Sequence, residues 1–181
     1  MSIPIYTYDA VIVGAGLAGC AAARELQKAG KKVAVVTKLH PLRSHSGAAQ
    51  GMCEKAPETI RWIERMGAAF SRNEDGTIAQ RPFGGQSSPR ACFAKDRTGL
   101  TLLQTIYEQA FREGVEFWDE WYVSDLLYKE GKVYGVSAFN LRNSEKAIFN
   151  AKAVMFATGG YARAFKINSN AHANTGDGLS L

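Results

Sequence analysis

Cysteine is scarce in this sequence, and long hydrophobic runs are missing. The 181 residues include three cysteines, Cys20, Cys53 and Cys92, and none has the close partner that metal sites and redox motifs use. This spacing favours reduced, structural thiols and a cytosol-like compartment. The longest uncharged stretch, residues 10–23, contains three glycines and is too short to cross a hydrocarbon core. No basic segment precedes it, so we expect no signal peptide.

Concentrated charge of one sign is also missing. Lys and Arg number 22 against 17 Asp and Glu, and the longest basic run is only Lys31-Lys32. Dispersed positive charge argues against a nucleic-acid-binding stripe, so we expect no nucleic-acid partner. The small excess, a net charge of +5, favours anionic ligands such as phosphates or carboxylates. The length and the 46% hydrophobic content predict one globular domain.

The N-terminal part carries a glycine-rich strand–turn–helix–strand pattern. An apolar run at residues 8–13 ends in Gly14-Ala15-Gly16-Leu17-Ala18-Gly19, and apolar residues then recur at helical spacing as far as Gly30. Residues 33–37 predict a second buried strand. In such a unit the first glycine permits the turn, the second lets a pyrophosphate approach backbone N–H groups, and the third lets the helix pack closely. The pattern predicts a nucleotide at the positive end of the helix, the alternative being an ordinary strand-to-helix turn.

An acidic residue is missing at the end of the second strand, where the general dinucleotide pattern uses one to bind the ribose hydroxyls. The sequence has Thr37 and Lys38 at this position. This departure argues against NAD as the cofactor.

Later segments predict two helices and a series of strands. Apolar spacing after Pro57 predicts a helix that ends at Gly67, and residues 102–110 predict a second that ends at Gly114. Strands are predicted at 115–121, 123–128, 132–141 and 146–150, with a separate, fully apolar strand at 153–157. Both helices are expected to pack in the core.

Three segments have glycines that would let a ligand approach the backbone. These are Gln80 to Gln86 after an Asp75-Gly76 turn, Thr158-Gly159-Gly160, and Thr175-Gly176-Asp177-Gly178. The first is also compatible with a surface hairpin, and the last with an ordinary Asp-Gly turn.

The sequence resembles the flavoprotein subunits of succinate dehydrogenase and fumarate reductase, the complex II family. The resemblance runs in the family's order from Tyr8 to the last residue. The strings that carry it are YDAVIVGAGLAGCAAAREL, VVTKLHPLRSHSGAAQG, RPFGGQ, DRTGLTLLQTIYEQA, FATGGYARAF and NAHANTGDG.

The resemblance implies an α/β fold, a Rossmann-like FAD-binding domain of glutathione-reductase type with an antiparallel β-meander, over residues 1–181. In that family a Ser/Thr-Lys pair replaces the acid after the second strand, and Tyr122 and Val123 would lie near the adenine. The implied FAD contacts are Gly14, Ala15, Gly16, Leu17, Ala18, Gly19, Thr37, Lys38, Ser44, His45, Ser46, Ala49, Gln50, Gly51, Tyr122, Val123, Ala157, Thr158, Gly159 and Asp177. No metal site is expected.

The resemblance also assigns the histidines. His45 matches the histidine to which the family's flavin is covalently attached, and a neutral imidazole nitrogen is a suitable nucleophile for that bond. The alternative for His45 is a loop histidine hydrogen-bonded to backbone. We expect solvated or structural roles for His40 and His172.

The implied substrate is a small dicarboxylate, with Phe83 in the floor of its pocket and Gln86 as a hydrogen-bond donor to a carboxylate. Two departures affect this expectation. Family members have several dozen residues between the positions of Gly51 and Met52, and the capping domain that supplies the catalytic acid/base would follow Leu181. We therefore assign no catalytic acid/base here, to Arg81, Arg97 or any other residue.

In the family, succinate and fumarate are interconverted, and electrons pass to an iron-sulfur subunit and then to a quinone. Membrane-anchor subunits would place the protein on the cytoplasmic, inner face of the cell membrane. The covered chain alone is expected to be inactive. The alternatives are L-aspartate oxidase, which shares the fold but usually lacks the attaching histidine, and a non-catalytic flavin-binding fragment.

Overall fold

The computed structural model describes residues 2–40, 56–82 and 88–181, and these parts contain three α-helices and eight β-strands. The helices are α1 (Leu17–Lys28), α2 (Ala56–Arg65) and α3 (Thr98–Arg112). The strands are β1 (Ile5–Val13), β2 (Val33–Thr37), β3 (Gln80–Arg81), β4 (Ala91–Cys92), β5 (Glu116–Asp119), β6 (Trp121–Lys129), β7 (Lys132–Asn140) and β8 (Lys146–Phe156). Short 3₁₀ turns follow at Ala162–Ala164 and Asp177–Leu179.

Six of the strands form one mixed sheet in the order β5-β2-β1-β8-β7-β6. The first four run parallel, whereas β8, β7 and β6 pair antiparallel as a meander. The strands β5 and β6 stand at opposite ends of this order, yet only Glu120 separates them in the chain. The meander therefore folds back over one face of the parallel strands, as in the predicted α/β fold.

Alternation along β1 and β2 divides the core between the two faces of the sheet. Val11 and Val36 pack with Trp121 and Phe149 under the meander, whereas Ile12 and its neighbours pack against α1 and α3. Residues 10–13 of β1 and 33–36 of β2 are buried because layers cover both faces, which explains the continuous apolar sequence of these two segments. The result is three layers, with the parallel strands between helices and meander.

A buried ion pair joins the helices. Arg24 on α1 is only 5% exposed, and its Nη2 donates to Glu113 Oε1 at 2.7 Å just beyond α3. The Arg24 guanidinium also lies 5.5 Å from the ring centre of Trp62 on α2, and its Nη1 contacts Met66 Sδ at 2.8 Å. This contact set positions α2 against the other two helices.

Three of the predicted strands have the wrong bounds. The strand predicted at 115–121 is interrupted at Glu120, whose φ of 62° turns the chain from the parallel layer into the meander. The strands predicted at 146–150 and 153–157 are one strand, β8, because it pairs with β1 from Ile148 to Phe156. Its final residues, Met155 and Phe156, are 41% and 39% exposed rather than buried. The meander partner β7 pairs only with the first part of β8, at 146–150.

None of the helices in residues 2–40, 56–82 and 88–181 combines the length and apolar character that crossing a membrane requires.

Candidate functional site

A crevice with a volume of about 360 Å³ opens where β1, β2 and β8 end. The carboxyl ends of parallel strands meet at this edge, which is where open α/β sheets bind ligands. Twelve of the residues predicted to contact a cofactor line it: Gly14, Ala15, Gly16, Ala18, Thr37, Lys38, Tyr122, Val123, Ala157, Thr158, Gly159 and Asp177. Segments that are far apart in the sequence thus converge on one cavity.

The turn between β1 and α1 forms one wall of the crevice. The Gly14 N–H donates to the Val36 carbonyl at 2.8 Å, and the Ala157 N–H donates to the Val13 carbonyl at 2.8 Å, so both neighbouring strands hold the turn. Gly14 has a φ of 108°, and a Cβ there would lie 2.4 Å from the Ala157 carbonyl oxygen. Only glycine fits this position.

The N-terminus of α1 faces this crevice, since Gly16 and Ala18 both line it. No side chain caps the helix through Gly16, and the first turn contains no acidic residue. The positive end of the helix dipole is therefore not offset by a carboxylate of its own first turn. Such a helix end stabilises an anionic group in the crevice.

Lys38, which also lines the crevice, contacts the segment that leads into the last 3₁₀ turn. Its Nζ donates to Thr175 Oγ1 at 2.7 Å and forms an ion pair with Asp177. Thr175 Oγ1 in turn donates to Asp177 Oδ1 at 2.7 Å. Burial raises the pKa of the Asp177 carboxyl, but the hydrogen bonds from Lys38 and Thr175 and the charge of Lys38 outweigh burial and lower it. Asp177 is therefore ionised at neutral pH.

Two predicted contact residues in the described ranges do not line the crevice. Leu17 packs against the helix-side core, and Gly19 is buried beneath the turn, where a Cβ would lie 1.9 Å from the Gly14 carbonyl oxygen. Gly19 is thus a packing glycine, as the pattern predicted. Eight predicted site residues lie outside the described residues: Ser44, His45, Ser46, Ala49, Gln50, Gly51, Phe83 and Gln86.

The crevice also contains residues that sequence reasoning did not select. Asn174 is only 6% exposed and lines the wall, where its Nδ2 donates to Asn170 Oδ1 at 3.2 Å. Trp121 lines the wall from the start of the meander. Their signals were weak: Trp121 adjoins the predicted Tyr122, and Asn174 lies in the string NAHANTGDG, but neither was assigned a contact of its own.

The two histidines in the described ranges differ in position. His40 lines the crevice and packs edge-on against Tyr107, with ring centres 5.7 Å apart. His172 is exposed, and its Nδ1 lies 3.0 Å from Arg163 Nη2.

Comparison with known proteins gives a family match over almost the whole chain. A family model described as "FAD binding domain" matches residues 9–54 and 52–181. The succinate dehydrogenase flavoprotein subunit of Coxiella burnetii is 37% identical over 225 residues, covering 99% of this chain and 38% of that protein.

Solved structures agree in fold. Sdh1 of Mycobacterium smegmatis in complex with UQ1 gives a TM-score of 0.90 at 29% identity, covering 99% of this chain and 38% of that one. A quinol fumarate reductase FrdA of E. coli gives 0.87 at 29% identity, covering 98% and 37%. The chain thus spans about two fifths of the length of these relatives, and the resemblance predicted from the sequence is confirmed.

Proposed function

Because this chain belongs to the family of FAD binding domains, we propose that the crevice binds FAD with its diphosphate at the N-terminus of α1. The observation that carries the proposal is the convergence of this helix end with three strand ends on one cavity. The residues present fit the cofactor: glycine at position 14 leaves the turn without a side chain, and no carboxylate of the first helical turn would repel phosphates.

We assign the remaining walls of the crevice by their chemistry. Thr37 ends β2 and Lys38 follows it, and both would contact the adenosine half, whereas Tyr122 and Val123 would lie near the adenine. The turn at Ala157, Thr158 and Gly159 would pass close to the cofactor. Asp177 would meet the cofactor with its carboxylate already paired with Lys38 and Thr175.

We further propose that the flavin is attached covalently through a ring nitrogen of His45, with Ser44, Ser46, Ala49, Gln50 and Gly51 around it. The support is the Arg-Ser-His-Ser string and its place shortly after β2, the strand that ends at the crevice.

Acid precipitation of the purified chain tests the attachment. Yellow colour that stays with the denatured protein, and is lost from a His45→Ala variant, is the expected result. Full release of flavin from the parent chain would contradict the bond and favour the L-aspartate oxidase alternative. Intact mass measured on the same sample reports the added cofactor directly.

For the whole protein we propose interconversion of succinate and fumarate. FAD, when bound, supplies the redox chemistry, and the protein supplies placement and electrostatics. Phe83 and Gln86 would contact the dicarboxylate. Electrons would pass to an iron-sulfur subunit and a quinone, with membrane anchors holding the assembly at the inner face of the cell membrane.

The connection between β2 and α2 is shorter in this chain than the comparisons indicate for its relatives. Only residues 38–55 join them, and the two matched parts of the family model meet within this segment, at residues 52–54. The Coxiella burnetii alignment is 225 residues long, more than the 181 of this chain. We infer that relatives have additional residues after the position of Gly51.

A succinate-to-dye assay separates an enzyme from a flavin-binding fragment. We expect no turnover from these 181 residues alone, because they span 38% of the Coxiella burnetii relative. Flavin binding without turnover is the expected combination, whereas succinate-dependent reduction of the dye would show that the fragment is catalytically sufficient.

A further inference from the structure

We propose that Lys38 and Asp177 act as one charge-cancelling unit, in which the Lys38 ammonium masks the Asp177 carboxylate from an incoming diphosphate. This inference rests on the proposed function, the binding of FAD in the crevice. It goes beyond a contact by each residue, because it states that the effect of one charge depends on the other.

The geometry holds both oxygens of the carboxylate. Lys38 Nζ binds Asp177 Oδ2, and Thr175 Oγ1 donates to Asp177 Oδ1 at 2.7 Å. Thr175 Oγ1 also accepts from Lys38 Nζ at 2.7 Å, so the three side chains form a closed set of contacts. The Lys38 and Asp177 side chains are 27% and 24% exposed, which limits screening by solvent.

The charged residues that line the crevice make this pair important for the binding of a diphosphate. Among the crevice-lining residues that the structure describes, Lys38 is the only lysine or arginine and Asp177 is the only acidic residue. Among the described side chains, a diphosphate entering this space meets one positive and one negative charge that already cancel. Removal of Lys38 would leave an unmasked carboxylate in a partly buried space that must accept a dianion.

The effect of the Asp177 charge on affinity differs according to whether Lys38 and Asp177 act independently or as one coupled unit. If each residue acts alone, neutralising Asp177 changes affinity by the same factor whether or not Lys38 is present. If Lys38 masks Asp177, neutralising Asp177 has a small effect in the parent chain. In a Lys38→Met background the same change relieves repulsion and raises affinity.

The experiment is a double-mutant cycle with ADP as the probe. ADP has the diphosphate but no flavin ring, so covalent attachment cannot obscure the equilibrium. Binding to the flavin-free chain is measured by calorimetry at pH 8 for the parent, Lys38→Met, Asp177→Asn and the double variant. Circular dichroism establishes that each variant is folded, and Lys38→Gln replaces Lys38→Met if the latter does not fold.

A second Lys–Asp pair provides the matched control. Lys152 Nζ lies 2.7 Å from Asp9 Oδ1, and neither residue lines the crevice. The Lys152→Met and Asp9→Asn variants remove the same charges from the chain, so they report the effect of net charge alone.

We expect Lys38→Met to lower ADP affinity at least about tenfold. Asp177→Asn should change it less than about threefold in the parent chain but raise it at least about fivefold in the Lys38→Met background. Lys38→Arg should keep most of the affinity, and the Lys152 and Asp9 cycle should show no coupling.

Equal effects of Asp177→Asn in the two backgrounds would overturn the masking inference while leaving FAD binding intact. A parent chain that binds neither ADP nor FAD would overturn the proposed function itself, and the inference with it. The two failures are therefore distinguishable in one set of titrations.

Discussion

Replacing Gly19 with alanine should destabilise this protein, although alanine is the better helix former. In an exposed helix interior the change from glycine to alanine stabilises by about 1 kcal/mol. Gly19 lies in the first turn of α1, but a Cβ there would be 1.9 Å from the Gly14 carbonyl oxygen and 3.0 Å from its carbon. The distance from the added Cβ to the Gly14 carbonyl oxygen must increase by more than about 1 Å to reach ordinary van der Waals contact.

The carbonyl cannot move away at low cost. It belongs to the turn whose Gly14 N–H donates to the Val36 carbonyl at 2.8 Å, and Gly14 itself packs against Ala157. Overpacking of this kind costs about 1–3 kcal/mol, and the turn's backbone position makes the upper half of that range appropriate. After the gain in helix propensity is subtracted, we expect a net loss of about 1–2 kcal/mol in the free energy of unfolding.

The measurement is urea unfolding followed by far-UV circular dichroism, with flavin retention measured on the same preparation. Gly30→Ala is the control, since Gly30 ends the same helix with a φ of 72° and no atom lies within 4 Å of a Cβ placed there. It should cost stability only through its left-handed backbone and leave flavin binding unchanged. A Gly19→Ala chain as stable as the parent, with full flavin retention, would refute the predicted clash.

Three further predictions concern buried or paired groups. Arg24→Met should lower the free energy of unfolding, measured by urea denaturation, by about 3 kcal/mol, because Glu113 loses its buried partner. A smaller loss when Glu113→Leu is added would identify the ion pair as the cause. Because the pKa of Asp177 is lowered in the folded chain, the ionised carboxylate stabilises the fold fully above about pH 4, and this stabilisation is lost as the pH falls through the folded-state pKa. The free energies of unfolding of the parent and Asp177→Asn chains should therefore converge in acid. A difference that stays constant with pH would contradict the pairing. Burial raises the pKa of the Cys20 thiol to about 12, so Cys20 should not react with a thiol reagent at pH 8 in the folded chain. The less buried Cys92 should react. Fast labelling of Cys20 would contradict its burial.

The nucleotide-binding unit was predictable because its signals are local. Gly14 needs a positive φ, Gly30 ends a helix, and the apolar spacing between them sets the helical face, each within a few residues of sequence. The structure confirms the two strands and the helix, and the family match confirms the resemblance.

The strand boundaries were less predictable because they depend on partners. Residues 151 and 152 continue β8 because β1 lies beside them, and the sequence contains no sign of that neighbour. Glu120 interrupts a run that is otherwise suitable for a strand, because the chain must leave the parallel layer for the meander there.

The sequence by itself determined the first strand–turn–helix–strand unit, its glycine turn and the segments from which the crevice is built, since these follow from backbone geometry and short-range periodicity. Only the tertiary structure decided which side chains meet. Lys38 and Asp177 are 139 positions apart, and Asn174 becomes a buried wall residue only after the last segment folds against the turn that follows β8, next to Gly159. Pairing across such distances depends on how the layers pack, and packing is a property of the whole chain.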